Sequence, residues 1–149
     1  MKPTNKKTTN ELLKVLSSVN TEEQLKKYTE YLEEQSMPKT FHEYINELIL
    51  KHNRSLSIAS IIENSQIQRN YGYQIINGTR RPGRDKILAL SLTLQLSLKE
   101  TQKGLTLAGE NILYPKTRRD SILIFALQKQ LSVLDTNELL FQFDEKTLE

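Results

Sequence analysis

The stretch LSIASIIENSQIQRNYGYQIINGTRRP, residues Leu56 to Pro82, decides how the rest of the chain is interpreted. Apolar residues recur in it at helical spacing, in two runs that a short polar break at residues 64–66 separates. The first run consists of Ile58, Ile61 and Ile62, and the second of Ile67, Tyr71, Ile75 and Ile76. This pattern predicts two short helices, each with one buried face.

The second of these helices has a defined end and a polar side. It is predicted to stop at Asn77-Gly78, because Gly accepts a positive φ without a Cβ penalty and Asn does so at low cost. Arg69, Asn70 and Gln74 remain polar along it. Two short helices joined by a tight turn, with a polar face on the second, describe a helix-turn-helix, which places one helix in a DNA groove.

The same stretch resembles the phage-repressor or XRE type of helix-turn-helix domain. The match is ungapped, and the flanking helices extend it on both sides. It runs through Leu56-Ser57, Glu63, Ile67, Ile75, Asn77-Gly78 and Pro82. The resemblance implies a bacterial DNA-binding protein with a five-helix, lambda-repressor-like core.

Four positions depart from the family pattern. Ile58 stands where the family usually has Gln, and Ile62 where it has a small Ala. Gln66 stands where the family has a turn Gly, and Gly72 where it has a buried Ile or Val. The change at 58 removes a phosphate-contacting side chain. The change at 72 places a weak helix former inside the second helix, at a cost of ~1 kcal/mol relative to Ala.

The resemblance also implies which residues contact DNA. The helix from Gln68 to Ile76 would lie in the major groove, where Arg can bind O6 and N7 of guanine and Asn or Gln can bind N6 and N7 of adenine. Base contacts are predicted for Arg69, Asn70, Tyr73 and Gln74. Contacts with the DNA backbone are predicted for Ser57, Asn77, Arg80, Arg81 and Arg84. The alternative is that the polar side of this helix is an ordinary solvated face.

Charge is concentrated in the same region. Residues 51–86 carry seven basic and two acidic side chains, a net charge of +5. The remainder of the chain carries 14 basic and 16 acidic side chains, a net charge of −2. A run of surface charge is most often only a solvated face, but here it coincides with a groove-reading motif, which favours contact with phosphates.

Composition excludes several other classes of protein. The chain of 149 residues has the size of one domain and contains no Cys, which removes disulfide scaffolds, thiol catalysis and Cys-based zinc sites. Its longest apolar run, Ile122 to Leu127, is far shorter than a membrane helix requires. The basic start MKPTNKKTTN leads into no apolar signal core, so a cytoplasmic location is predicted.

The sequence predicts no catalytic, metal or nucleotide site. His42 and His52 lie ten residues apart with no second pair of ligands nearby, so we expect surface residues at the two ends of one helix. Gly78 to Asp85 approaches a phosphate-binding loop, but Arg84 and Asp85 stand where Lys and Ser or Thr are required. We therefore expect no enzyme activity and no cofactor.

The sequence before residue 56 predicts three helices. Thr8 to Glu11 and Thr21 to Gln24 have the capping-box spacing, and Pro38 ends the unit that they begin. A third capping box, Thr40 to Glu43, opens the helix with the strongest apolar periodicity in the chain. The apolar residues of this helix are Phe41, Tyr44, Ile45, Leu48 and Ile49.

Residues 87–98 are ambiguous between a strand and a helix. Leu occupies every second position from 88 to 98, and period two is the pattern of a half-buried strand. Leu is, however, a strong helix former, and Ser97 to Glu100 is a further capping box. We therefore predict a helix here and another from Leu98 to Ala108.

Two more helices are predicted after Pro115. Asp120 lies in the first turn of one, where the helix dipole favours negative charge, and Ser132 begins the other. The last helix has a broad apolar surface, which must pack either back on the core or against a second copy of the chain. We predict a homodimer through the C-terminal helices, because one helix-turn-helix contacts too few bases for strong specificity. The residues of this predicted interface are Leu134, Leu139, Leu140 and Phe143. No internal repeat is evident in the sequence.

Together these patterns predict an all-α protein of about seven to eight helices in three segments. The segments are an N-terminal helical extension at 1–38, a helix-turn-helix DNA-binding domain at 39–110 and a C-terminal helical pair at 111–149. The predicted function is sequence-specific binding of double-stranded DNA as a transcriptional regulator. The alternative is a protein-interaction or antitoxin-like adaptor that keeps the fold. The residues at 58 and 72 favour the adaptor, and the cluster of Arg80, Arg81 and Arg84 favours DNA.

Overall fold

The computed structural model describes residues 8–36, 40–52 and 55–149, with the side chains of 33–36 excepted. Nine helices and no strand lie within these ranges, which confirms the predicted all-α class and exceeds the predicted number of helices. They are α1 (Thr9–Ser17), α2 (Glu22–Ser36), α3 (Phe41–Lys51), α4 (Ile58–Asn64), α5 (Arg69–Asn77), α6 (Arg84–Thr93), α7 (Leu98–Leu107), α8 (Arg118–Gln128) and α9 (Val133–Gln142). None of the described helices has the length and apolar character needed to span a membrane.

The chain divides into two compact units, Met1–Pro38 and Lys39–Glu149. The first contains α1 and α2, and the second contains α3 to α9. Helix α8 packs against α6 and α7, and α9 packs against α6. Residues 39–110 and 111–149 are thus grouped in one compact unit.

The first unit is a pair of amphipathic helices. Helix α1 begins at the predicted capping box, in which Thr8 and Glu11 satisfy each other's main-chain N–H groups. At α2 the Thr21 hydroxyl accepts from the Gln24 N–H, but the Gln24 side chain accepts from the N–H of Asn20, so the predicted box forms only in part. No residue of α1 is buried, so this helix contributes no residue to a closed core.

Helix α6 is the centre of the second unit. Its six consecutive residues from Ile87 to Leu92 are buried, and it packs against α4, α7, α8 and α9. A helix that is covered on all sides needs no polar stripe, which is why the alternating leucines resemble a strand. The predicted helix is confirmed, and Leu94 and Leu96 lie in the buried turn that follows it.

Helix starts in this unit follow the predicted caps. Thr40 and Ser97 both form complete capping boxes, and the Ser132 hydroxyl accepts the N–H of Asp135 at the start of α9. All five predicted apolar residues of α3 are buried. Local sequence therefore sets where these helices begin.

Three helix pairs, α4–α5, α6–α7 and α8–α9, are joined by the same kind of turn. Each turn contains a glutamine with positive φ: Gln66 at 59°, Gln95 at 56° and Gln130 at 57°. The apolar residue after each glutamine donates its N–H to the carbonyl five residues earlier, which closes the end of the preceding helix.

Residues 84–114 and 119–149 form an internal repeat with a spacing of 35 residues, which corrects the expectation that the chain contains none. Twelve of the 31 aligned positions are identical. In the first repeat they are Arg84, Asp85, Ile87, Leu88, Leu92, Gln95, Leu96, Ser97, Thr101, Leu105, Glu110 and Leu113, and each recurs 35 residues later. The first repeat contains α6 and α7, and the second contains α8 and α9.

Reciprocal Arg–Asp pairs join the two repeats at the first turns of α6 and α8. The guanidinium of Arg84 donates to both carboxylate oxygens of Asp120, at 3.0 and 2.8 Å. The guanidinium of Arg119 donates to both carboxylate oxygens of Asp85, at 3.3 and 3.0 Å. Bidentate geometry makes such charge-assisted pairs both strong and directional.

Main-chain groups complete the first pair. Arg84 also donates to the carbonyls of Asn111 and Ile112, at 2.9 and 3.0 Å. Asp120 also accepts the N–H of Tyr114 at 2.9 Å. The segment that ends the first repeat is thereby tied to the first turn of the second repeat.

The same bonds recur 35 residues later. Arg119 donates to the carbonyls of Lys146 and Thr147, and Asp85 accepts the N–H of Glu149 at 3.1 Å. Exchanging the two repeats maps each of these bonds onto its counterpart. The contacts between the repeats therefore have approximate twofold symmetry.

The Arg84–Asp120 pair makes the fold sensitive to acid. Burial raises the pKa of Asp120, but hydrogen bonds from Arg84 and from the Tyr114 N–H lower it by more than burial raises it. The pKa of Asp120 therefore lies below the ordinary value of 3.8. Because the folded pKa is depressed, the ionised carboxylate stabilises the fold fully above pH 3.8. This stabilisation is lost as the pH falls through the folded pKa.

Asp120→Asn should lower the free energy of unfolding by roughly 3 kcal/mol at neutral pH, because it leaves the Arg84 charge half-buried without its partner. The difference from the wild type should shrink as the pH falls below 3.8, where the wild-type carboxylate is itself protonated on unfolding. Urea unfolding across this pH range measures both effects, with the exposed Asp135→Asn as the control. If the difference in unfolding free energy between the wild type and Asp120→Asn stayed constant with pH, Asp120 would not be the group whose ionisation stabilises the fold.

Thr101 and Thr136 occupy equivalent, fully buried positions in the two repeats. The Thr101 hydroxyl donates to the carbonyl of Ser97 at 2.9 Å. The Thr136 hydroxyl has no hydrogen-bond partner among the described residues. An unpaired buried hydroxyl destabilises a fold by about 1 to 3 kcal/mol.

Thr136→Val should therefore raise the free energy of unfolding by about 1 kcal/mol, because it removes an unpaired hydroxyl at nearly constant shape. Thr101→Val is the matched control and should lower the free energy of unfolding by about the same amount, because it removes a formed hydrogen bond. Chemical denaturation of both variants gives the comparison. Equal effects at the two positions would rule out this difference between the repeats.

Candidate nucleic-acid interface

Helices α4 and α5 meet at a turn formed by residues 65–68. Helix α4 starts at Ser57, whose hydroxyl accepts the N–H of Ser60 at 3.1 Å. Helix α5 starts at Gln68, whose side chain accepts the N–H of Tyr71 at 2.8 Å. Buried residues hold both helices on the core, and they are Ile61, Ile62, Gly72, Ile75 and Ile76.

The end of α5 is the predicted left-handed cap. Gly78 has a φ of 87°, and its N–H donates to the carbonyls of Gln74 and Ile75. The side-chain oxygen of Asn77 accepts the N–H and the hydroxyl of Thr79, at 2.9 and 2.7 Å. Asn77 thus orients the start of the loop at residues 78–83, which carries Arg80 and Arg81 and which we call the basic loop.

The accessible side of α5 carries all four residues that were predicted to contact bases. Arg69, Asn70 and Tyr73 are exposed, and Gln74 is half-buried at the edge of this side. The Arg69 guanidinium lies 5.9 Å from the centroid of the Tyr73 ring. Their spacing places the four side chains on one arc of the helix, opposite its buried isoleucines.

Cations collect around Tyr71 next to this side. The Arg80 guanidinium lies 5.0 Å from the centroid of the Tyr71 ring, and the Lys86 ammonium lies 5.9 Å from it. Arg81 is exposed in the same loop. In the sequence, Tyr71 was predicted only as part of an apolar run, and Lys86 was not predicted as a site residue. The two residues are 15 positions apart, and the loop between α5 and α6 brings them together.

Arg84 was predicted to contact the DNA backbone, but its side chain is turned towards the protein. Its guanidinium donates to Asp120, Asn111 and Ile112, and Asp120 neutralises its charge. The side chain is 22% exposed, so most of it is covered. Arg84 therefore joins the two repeats, and we do not include it among the proposed DNA contacts.

The turn before α5 explains one departure from the family pattern. Gln66 has a φ of 59°, the left-handed conformation that Gly adopts most easily. The residue type differs from the family, but the backbone retains the conformation that a turn Gly would have. Ile58, the residue in place of the phosphate-contacting Gln, is partly buried and packs against the core.

Two other departures compensate each other. A Cβ on Gly72 would lie 2.4 Å from Cγ2 of Ile62 and 2.8 Å from its Cγ1, which is closer than atoms can approach. Ile62 is 1% exposed, so it lies inside the core and cannot turn out into solvent without leaving it. The large residue at 62 therefore fills the volume that the family's large residue at 72 would occupy.

Glu100 organises the far end of α3. Burial raises the pKa of Glu100, but hydrogen bonds to the Ser97 N–H, to His52 and to Lys51 have the larger, opposite effect. The pKa of Glu100 is therefore lowered to about 2. Burial, and the nearby charge of Glu100, raise the pKa of Tyr44 to about 12. These groups form a structural ion cluster away from α5.

Both histidines are less exposed than predicted. His42 Nδ1 lies 3.0 Å from the Thr40 hydroxyl, and its ring lies against Gly78, where a Cβ would come within 2.6 Å. His52 Nε2 lies 3.0 Å from a carboxylate oxygen of Glu100. Among the described residues, no group of three or more His, Cys, Asp or Glu is arranged to hold a metal ion.

We compared the chain with known proteins. No protein-family model, curated protein or solved structure matches the chain. The features of this chain that point to a function are therefore the residues of α5 and the basic loop.

Gly72→Val should destabilise the protein by about 2 kcal/mol or more, because Ile62 occupies the space of the new side chain. Ile62→Ala alone should also destabilise it, by about 2 to 5 kcal/mol, because it leaves a cavity. The double variant should be more stable than the sum of the two effects by about 1 to 3 kcal/mol, since each change relieves the other. Additive effects in urea unfolding would show that the two residues do not share this space.

Proposed function

We propose that this chain is a double-stranded DNA-binding transcriptional regulator, in which α4 and α5 act as the helix-turn-helix and α5 enters the major groove. The observation that carries the proposal is the accessible arc of α5, on which Arg69, Asn70, Tyr73 and Gln74 lie together. Side chains that can bind base edges, gathered on one face of a short capped helix, suit insertion into a groove.

Each of these side chains has a role in the proposal. Arg69 binds O6 and N7 of guanine, and Asn70 or Gln74 binds N6 and N7 of adenine. Tyr73 contacts a thymine methyl group or a phosphate. The ring of Tyr73 also supports the guanidinium of Arg69, 5.9 Å away, which limits the freedom that Arg69 loses on binding.

The proposed phosphate contacts surround this face. Arg80 and Arg81 lie in the loop after α5, and Lys86 joins them because it shares the Tyr71 ring with Arg80. Ser57 and Asn77, at the start of α4 and the end of α5, complete the set. Such contacts position the protein on the duplex without reading its sequence.

The proposal includes a phage-repressor-like core made of α3 to α7. The left-handed Gln66 at the position of the family's turn Gly supports it, and so does the exchange of large and small residues between positions 62 and 72. A bacterial, cytoplasmic regulator that acts as a homodimer fits this core, because one helix-turn-helix contacts too few bases for strong specificity. Of the four predicted interface residues, Leu140 is fully buried in the core and therefore does not line a dimer surface.

Base reading and phosphate binding should be separable by mutation. Arg69→Ala and Gln74→Ala should each weaken binding to a selected duplex by ~1 to 3 kcal/mol and leave random-sequence binding nearly unchanged. Arg81→Ala should weaken binding to all sequences alike and reduce the slope of log K against log salt by about 1. Fluorescence anisotropy at several salt concentrations measures both effects.

The exposed Lys99, on α7, offers a matched control, and Lys99→Ala should leave affinity and salt slope unchanged. Intact specific binding in the Arg69 and Gln74 variants, with loss in the Arg81 variant, would mean that the basic loop alone attracts DNA. If none of the variants has an effect, the protein is the interaction adaptor and α5 is a solvated face.

A further inference from the structure

On the helix pair α8–α9 of the second repeat, an apolar face is left exposed by the described part of the chain. Phe125 of α8 and Phe143 at the end of α9 are each 46% exposed, and Leu139 of α9 is half-buried. We call these three residues the repeat-two face. The helix pair thus exposes two large aromatic rings, one within α8 and one at the C-terminal end of α9.

The first repeat shows what normally covers this face. The internal repeat matches Phe125, Leu139 and Phe143 with three residues that are all buried, namely Leu90, Gly104 and Ala108. Helix α3 packs on α7 there: a Cβ on Gly104 would lie 3.6 Å from the ring of Phe41 and 3.8 Å from that of Tyr44. The same side of the helix pair is therefore an interface between helices in one repeat and open in the other.

The substitutions between the repeats increase apolar volume on the open side. Gly is replaced by Leu, and Leu and Ala are replaced by Phe. In the first repeat α3 supplies the aromatic rings, whereas in the second repeat the helix pair supplies them itself.

Charges on the exposed surface differ between the two helices. Arg118 at the start of α8 and Lys129 at its C-terminal end lie over the rings of Phe143 and Phe125, at 5.9 and 5.8 Å from their centroids. Arg118 also pairs with Glu145 of the same chain, at 3.4 Å. The exposed charges of α9 are acidic, Asp135 and Glu138. An arrangement that places α8 of one molecule across α9 of another brings Lys129 close to the acidic side chains of α9, and a twofold interface repeats this contact.

We propose that the repeat-two face binds the repeat-two face of a second copy of this chain, which forms a twofold dimer with α8 of each copy against α9 of the other. The choice of a second copy rests on the proposed function, since a DNA-reading unit of this size gains specificity by pairing on two half-sites. Phe125 and Phe143 anchor the centre, and the charges of α8 and α9 form the rim.

Light scattering of the full chain without DNA tests the proposal. At about 50 µM, in the range of ordinary dimer affinities, the wild type should have a mass twice 17.3 kDa. The double variant Phe125→Glu, Phe143→Glu should raise the dimer dissociation constant at least about a hundredfold, because it places charges at the centre of the interface. Circular dichroism verifies that the variant remains helical.

Leu134 and Phe141 provide the matched control. They are more exposed than the face residues, at 67% and 75%, but they correspond to Lys99 and Thr106, which are exposed in the first repeat too. The variant Leu134→Ser, Phe141→Ser, which adds no charge beside the rim residue Glu138, should therefore remain a dimer. A dimer that dissociates in this control and persists in the Phe125 and Phe143 variant would overturn the proposal.

The rim gives a second test that leaves the apolar residues intact. Lys129→Glu and Glu138→Lys should each weaken the dimer, and the combination should restore most of its affinity. A wild-type chain that is folded and monomeric at about 50 µM would overturn the inference even if it binds DNA. A dimer that binds no DNA would leave this interface in place and refute the proposed function, so the two failures are distinguishable.

Discussion

The reciprocal pairs Arg84–Asp120 and Arg119–Asp85 are the interaction on which the second unit depends. They join the first turns of α6 and α8, and α6 is the helix around which its neighbours pack. The pairs are mostly shielded from water, and each arginine also binds two main-chain carbonyls, so loss of one partner leaves several polar groups unsatisfied. This makes the junction a fixed clamp, unlike an exposed ion pair that solvent can replace.

The clamp also defines the candidate nucleic-acid interface. Asp120 holds Arg84, so the residue that follows the basic loop is fixed in place. Arg80 and Arg81 are the arginines that remain on the surface of this loop. Packing of Ile62 against Gly72 fixes α5 on α4 in a similar way. The accessible arc of α5 is thus presented by rigid neighbours, and a side chain held by rigid neighbours loses less entropy on binding.

The two repeats show how one sequence pattern serves two environments. Both contain an Arg-Asp start, a glutamine turn and a buried Thr, and both make the same bonds at the junction. They differ where their neighbours differ: Gly104 lies under α3, while its counterpart Leu139 lies beside the open Phe125 and Phe143. The repeat was not apparent from periodicity because the identical residues are spread along two helices and a turn.

The sequence by itself determined the all-α class, the starts of α3 and α7 at Thr40 and Ser97 and the end of α5 at Gly78. These features depend on main-chain groups within a few residues, so local preferences decide them. Only the tertiary structure decided that Arg84 turns inward and that Leu140 is buried in place of lining a dimer surface. Both outcomes depend on groups tens of residues away, and no local pattern specifies which of several possible partners a charge or an apolar side chain will meet.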